Sequence, residues 1–213
     1  SEVGMLVLLV LLSYLFFASG VGRRILLLGG LCAAILGASL LVSFTRSIWV
    51  ATAVATSYLV WRWRKKWLLA LPVALVVAVA AAPGAVKRRF ESMFSARSDD
   101  STRARMIMWE TGWRMVKARP VVGVGPERVG SEFSRFLPPG TGELPAAFYG
   151  HLHNLYIHYA AERGLPALLA LLWLLGRILR DHWRAARVAG EDTFILEAVV
   201  AATIGLAVGG IFE

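Results

Sequence analysis

Long uninterrupted apolar runs constrain this chain more than any motif in it. They cover residues 3–20, 25–44, 48–60, 67–82, 165–175 with an extension back to 155, and 194–212. At about 1.5 Å of rise per residue, the longer runs reach across a hydrocarbon layer roughly 30 Å thick. With 57% hydrophobic residues among 213, too little polar surface remains to wrap one soluble core. The sequence therefore predicts an all-α fold, a polytopic transmembrane bundle of about six helices with a helical extracytoplasmic loop. The run at 48–60 is too short to cross unaided.

These runs divide the chain into transmembrane helices 1–4 (residues 1–82), an extracytoplasmic loop with an amphipathic helix (83–154), and transmembrane helices 5 and 6 (155–213). It starts at Ser1 without a methionine and stops at Glu213, directly after an apolar run. Both ends are expected to be cut from a longer protein with further helices. The lone cysteine, Cys32, lies inside an apolar run, which leaves no disulfide framework and no cysteine-based metal site.

The net charge of +9 invites a nucleic-acid reading, but its placement points elsewhere. Arg23 and Arg24, then Arg62, Arg64, Lys65 and Lys66, then Arg177, Arg180, Arg184 and Arg187 all sit in short connections beside apolar runs. Such enrichment marks cytoplasmic connections. Taking all three as cytoplasmic places residues 83–154 outside. That long loop still carries eleven Lys or Arg between Lys87 and Arg135. Long loops translocate largely regardless of charge, so an anionic substrate is one explanation for their excess. Binding of nucleic acid or anionic lipid through the loop would explain the charge and nothing else.

Three segments carry candidate chemistry. Arg46 lies in Ser-Phe-Thr-Arg-Ser-Ile-Trp between two apolar runs, at or below the headgroup level. A charged side chain near the bilayer centre costs roughly 3 kcal/mol, which favours a functional role over a snorkelling helix-end arginine. Residues 99–120 predict an amphipathic helix, with Ser101 as N-cap, an apolar stripe of Met106, Trp109, Trp113 and Val116, and a stop at Pro120. Arg105 shares a face with Trp109, four residues on, whereas Arg103, Arg105 and Arg114 could equally form a solvated or headgroup-facing surface. The following Pro-Val-Val-Gly-Val-Gly-Pro-Glu-Arg-Val-Gly lacks the spacing of a nucleotide-binding loop and is expected to be a turn.

The densest chemistry is in residues 148–166, Phe-Tyr-Gly-His-Leu-His-Asn-Leu-Tyr-Ile-His-Tyr-Ala-Ala-Glu-Arg-Gly-Leu-Pro. His151, His153 and His158 do not have the spacing of a zinc helix, and no carboxylate cluster is nearby. Asn154 sits where polar loop gives way to apolar helix and is a natural N-cap, so a helix N-terminus with free N–H groups would face the outer surface. His153 at that end, near arginines, should be held toward the neutral imidazole. It could then accept a proton as a general base, or simply hydrogen-bond the headgroup region.

These three segments, in this order and spacing from residue 44 to 175, resemble the O-antigen ligase/polymerase superfamily. The shared features are an arginine after a transmembrane helix, an arginine ahead of a tryptophan and a Pro-x-x-Gly-x-Gly turn, and a His-Asn-Leu-Tyr element with Glu-x-Gly-Leu downstream. The resemblance places the family's functional arginines on Arg46 and Arg105, with Arg103 a weaker alternative, and its essential histidine on His153. It implies an inverting, metal-independent glycosyltransferase of the bacterial inner membrane, with its active site on the periplasmic side and no cofactor. The donor would be an undecaprenyl-diphosphate-linked glycan, and the acceptor lipid A-core or a growing glycan. Membrane lipids, and no nucleic acid, would be the other partners. The alternative from another class is a non-catalytic transporter or flippase component that binds the same lipid diphosphate and has no need of His153.

Overall fold

The computed structural model describes residues 2–42, 45–81, 84, 100–141, 150–190 and 193–212, and every regular element among them is helical. These elements are α1 (Glu2–Phe17), α2 (Arg23–Val42), α3 (Arg46–Arg64), a 3-10 turn (Lys65–Leu69), α4 (Ala70–Ala81), α5 (Asp100–Ala118), α6 (Val129–Phe136), α7 (Leu155–Arg163), α8 (Leu165–Ala185) and α9 (Thr193–Gly209). Contacts separate two compact units. One holds the described residues within 1–95 and 177–209, the other those within 96–176 and 210–213.

In the first unit α1, α3 and α9 pack on one another, and α2 packs on α1. Small residues bring the backbones together: Ala51, Ala55, Ala198 and Ala201 are buried, and a Cβ on Gly205 would lie 3.2 Å from the Met5 side chain. Close approach through small residues is how apolar helices gain packing where water provides no drive. At one end of the bundle, Ser13 Oγ donates to the Phe194 carbonyl at 2.6 Å. At that end too, Arg62 of α3 meets Glu197 of α9 at 2.6 Å, and the Tyr58 hydroxyl donates to the same carboxylate at 2.5 Å. The other end is tied by Trp49 Nε1 donating to the Leu40 carbonyl at 2.9 Å. α1 and α3 therefore run parallel, with α9 antiparallel to both, and the basic C-terminus of α3 lies at the same end as the C-terminus of α1.

Among the described residues, α2 is the one helix both long and apolar enough to cross a membrane by itself, and α1 and α9 are shorter apolar helices. Most of its large side chains, including Leu27, Leu31 and Ile35, are exposed, as a lipid-facing helix requires. The run at 48–60, expected to be too short, lies within the 19-residue α3. The helix continues through Arg46 and Ser47 before the run and Trp61 to Arg64 after it.

The second unit is built on α5. Ala104, Met108, Thr111, Met115 and Val116 are buried on one face, packed with Val129 and Phe133 of α6, Leu152, and Ala160 and Ala161 of α7. This corrects two expectations. Of the expected stripe of Met106, Trp109, Trp113 and Val116, Val116 is buried but Met106 and Trp113 are exposed, and Ser101 is not the N-cap, because Asp100 is already helical. Side chains of α7 and its entry come so close that a Cβ on Gly112 would meet those of Leu152 and Ile157 at 2.5 and 2.6 Å. Proximity to α7, rather than side-chain bulk, selects the buried face.

A third correction concerns residues 155–175, expected as one continuous span. Gly164 breaks it into α7 and α8, with φ at +85°. A Cβ there would be 2.1 Å from the Val121 carbonyl oxygen, so the break is enforced by the loop packed against it. α8 then opens with Pro166 in its first turn, where a missing N–H costs nothing.

Candidate active site

α7 begins at a cap that the sequence makes explicit. Asn154 is extended at φ −159°, and its Oδ1 accepts the Ile157 amide at 2.9 Å. Its Nδ2 donates to the Ile211 carbonyl at 2.9 Å, and the Leu155 amide donates to the Gly210 carbonyl at 2.7 Å. The helix N-terminus is thereby fixed from two sides, and Asn154 itself is buried.

The other end of α7 is closed by the glycine turn between α5 and α6. Val124 and Gly125 amides donate to the Ala161 and Glu162 carbonyls at 2.8 and 3.0 Å, and the Leu165 amide donates to the Pro120 carbonyl at 2.7 Å. Carbonyls left without partners at a helix C-terminus are satisfied in this way. Gly123 has φ +66°, and a Cβ on it would lie 2.4 Å from the Glu162 carbonyl. The Glu162 side chain, largely buried, accepts from the Glu127 amide and pairs with Arg163 at 3.3 Å. The turn clamps the end of a helix.

His153 immediately precedes the Asn154 cap and takes the left-handed conformation at φ +46°, unusual for a residue with a side chain. Both of its backbone polar groups are engaged. Its amide donates to His151 Nδ1 at 3.0 Å, and its carbonyl accepts from Trp109 Nε1 of α5 at 3.2 Å. Left-handed backbone at a non-glycine costs roughly 1–3 kcal/mol and persists where surrounding bonds determine it. The ring of His153 is partly buried, and burial first, then His151, then Arg105 push its pKa below the ordinary histidine value. Arg105, half-buried on α5 one turn before Trp109, therefore acts directly on this imidazole.

The site thus unites a histidine biased toward its neutral form, an arginine within electrostatic reach and a capped helix N-terminus. A sequence profile for the family described as O-antigen ligase matches residues 31–172, two thirds of the chain. The chain belongs to the O-antigen ligase family. No curated protein matches it. Members of this family are bacterial inner-membrane proteins of lipopolysaccharide and polysaccharide biosynthesis, glycosyltransferase-like enzymes whose substrates are lipid-linked glycans.

The O-antigen ligase match spans all the residues singled out in the sequence, which the structure distributes unequally. Arg105, His153 and Asn154 are together in the second unit. Arg103 is exposed and, two positions from Arg105, projects about 200° away around α5. Arg46 opens α3 in the first unit, and its side chain lies outside the described residues. Two contributors escaped sequence reasoning. Trp109 was assigned to an apolar stripe, although its place four residues after Arg105 signalled a shared face. His151 was weighed only as a metal ligand, although its i to i+2 relation to His153 is the span of a side-chain-to-backbone turn.

Proposed function

We propose that this O-antigen ligase-family chain carries catalytic machinery for inverting glycosyl transfer from an undecaprenyl-diphosphate-linked glycan to a hydroxyl of lipid A-core or of a growing glycan. The observation that carries the proposal is the fixed, left-handed His153 beside Arg105 at the capped start of α7. His153, neutral at working pH, takes the proton from the acceptor hydroxyl as its oxygen attacks the anomeric carbon. The bond from that carbon to the diphosphate breaks on the opposite face, and the electron pair leaves with the lipid diphosphate. Arg105 and Arg46, with Arg103 as a weaker contributor, bind the diphosphate and stabilise the charge that builds on it. Guanidinium groups supply this stabilisation, and the mechanism calls for no metal.

In this proposal the chain is a multi-pass protein with six membrane helices, divided at residues 82 and 154, and the 83–154 loop faces the periplasm. Support for the orientation comes from the first unit, where the bonds between α1, α3 and α9 gather the ends that carry Arg62 and Arg64 and precede Arg23. Short basic connections stay on the cytoplasmic side.

The test is glycan transfer from a polyprenyl-diphosphate donor by the protein in its membrane, with and without a metal chelator. Loss of transfer in His153→Ala, Arg105→Ala and Arg46→Ala, with wild-type activity surviving chelation, is expected. Full activity in His153→Ala would overturn the base assignment and favour a transporter that only binds the lipid diphosphate.

A further inference from the structure

His151 lies outside the His-Asn element and has no role in the transfer described above. Its Nδ1 nevertheless accepts the amide hydrogen of His153 at 3.0 Å, a bond from residue i to the N–H of residue i+2. Asn and Asp side chains close the same span in Asx turns. The His151 ring is itself oriented. It stacks on His158 with centroids 4.7 Å apart and planes at 21°, and it meets His153 edge-on at 5.3 Å. His158 is anchored on α7, where its amide bonds the Asn154 carbonyl at 2.9 Å. A continuous path of contacts therefore runs from the rigid helix through one ring to the strained backbone of the residue placed as base.

We propose that His151 is a positioning residue for His153: by accepting the His153 amide it holds the left-handed turn that aims the imidazole, acting as an imidazole version of an Asx turn. The proposal rests on the assignment of His153 as base. It fixes the chemistry of the His151 ring, because a nitrogen that accepts an N–H cannot carry its own proton, so the proton of neutral His151 sits on Nε2. A doubly protonated ring could only donate, and the turn would lose its closure. The groups acting electrostatically on this cluster are Arg105 from α5 and Glu162 from α7, together with His158. All of them stay in place in the variants below.

Two substitutions separate closure of the turn from the bulk and charge of the ring. His151→Leu removes the acceptor, whereas His151→Asn keeps an oxygen able to close the i to i+2 bond and removes the titratable ring. Transfer by the full-length protein is measured across pH with a polyprenyl-diphosphate-linked glycan as donor. For His151→Leu, kcat should fall on the order of 10²-fold at every pH with the donor KM unchanged, as for a misplaced catalytic group. His151→Asn should keep the rate within a few-fold of wild type, about one tenth or less of the Leu effect, because its side-chain oxygen can still close the turn onto the His153 amide.

A His151→Leu enzyme with wild-type kcat, or a His151→Asn enzyme as slow as the Leu variant, would overturn the proposal. Should His151→Leu fail to accumulate in membranes, His151→Asn decides alone: a kcat within a few-fold of wild type supports the role, and a loss on the order of 10²-fold overturns it. His153→Ala run alongside keeps the two assignments apart. If it retains transfer, the base assignment fails; if it abolishes transfer while His151→Leu does not, only the positioning role fails.

Discussion

The indole nitrogen of Trp109 donates to the backbone carbonyl of His153 across 3.2 Å, joining residues 44 positions apart in the chain. Because Arg105 precedes Trp109 by one helical turn, this bond also sets where the arginine stands relative to the imidazole. Trp109→Phe keeps an aromatic ring and removes the donor. Transfer should fall by about 10-fold or more, since a backbone held at positive φ would relax, and stability should drop by about 1 kcal/mol. Initial rates together with thermal unfolding in detergent check both, and an unchanged rate would mean that the bond does not position His153.

The pKa of His153 is lowered by burial, by His151 and by Arg105. Transfer needs the neutral ring, so activity should be full near pH 7 and decline only as pH falls below the ordinary histidine range near 6.5. Removing the charge in Arg105→Gln raises the pKa and moves this acid limb to higher pH, whereas Arg105→Lys leaves it nearly in place. A pH–rate profile of kcat/KM for the three proteins checks the sign. A limb that moves to lower pH in Arg105→Gln would contradict the placement of Arg105 beside the ring.

The start of α7 was far more legible in the sequence than its surroundings. Asn154 announced its cap because it stands between polar loop and apolar run, and the Pro and Gly pattern of residues 120–125 announced a turn. The length of α5 was equally plain, but its buried face was not. Gly112 and Thr111 are buried because α7 and its entry loop come close, and hydrophobic periodicity carries no trace of that approach. The break at Gly164 was hidden inside an apolar run, although Gly followed two residues later by Pro is the pattern of one helix ending and another starting. The left-handed turn at His153 was illegible for a deeper reason, since side-chain patterns report on faces and not on the sign of φ.

Gly164 and Gly123 should resist substitution for two additive reasons, a positive φ and a backbone carbonyl within 2.4 Å of any added Cβ. Neither carbonyl can retreat as a flexible side chain could. Gly164→Ala is expected to destabilise the protein by about 3 kcal/mol or more, the cost of strained backbone added to the clash. Gly176→Ala, a helical position with open space around it, is the control and should be neutral or slightly stabilising. Membrane-inserted yield and unfolding midpoints of the two variants provide the comparison.

Asn154 uses its two side-chain atoms for different ends, Oδ1 for the α7 cap and Nδ2 for the Ile211 carbonyl. Asn154→Asp keeps the cap acceptor and loses the donor, and Asn154→Ala loses both. The Ala variant should therefore cost about 1–2 kcal/mol and the Asp variant less, with transfer falling in the same order. Equal losses in the two variants would show that the tie to Ile211, rather than the cap, is what fixes the start of α7.

Glu197 is wholly buried between α3 and α9, while its partner Arg62 is 22% exposed. The asymmetry predicts unequal effects. Arg62→Ala strands a carboxylate with no path to water and should cost about 3 kcal/mol, in the range found when one partner of a buried pair is removed. Glu197→Gln keeps an oxygen that can accept from both Tyr58 and Arg62, and the Arg62 side chain can lean outward, so its cost should be about 1 kcal/mol. Combining the two substitutions removes the stranded charge, and the double variant should be more stable than Arg62→Ala alone. Unfolding midpoints in one detergent complete the cycle. Strictly additive losses would show that the carboxylate of Glu197 does not depend on Arg62, and that the bundle is held at this end by Tyr58 and the Ser13 bond to Phe194 instead.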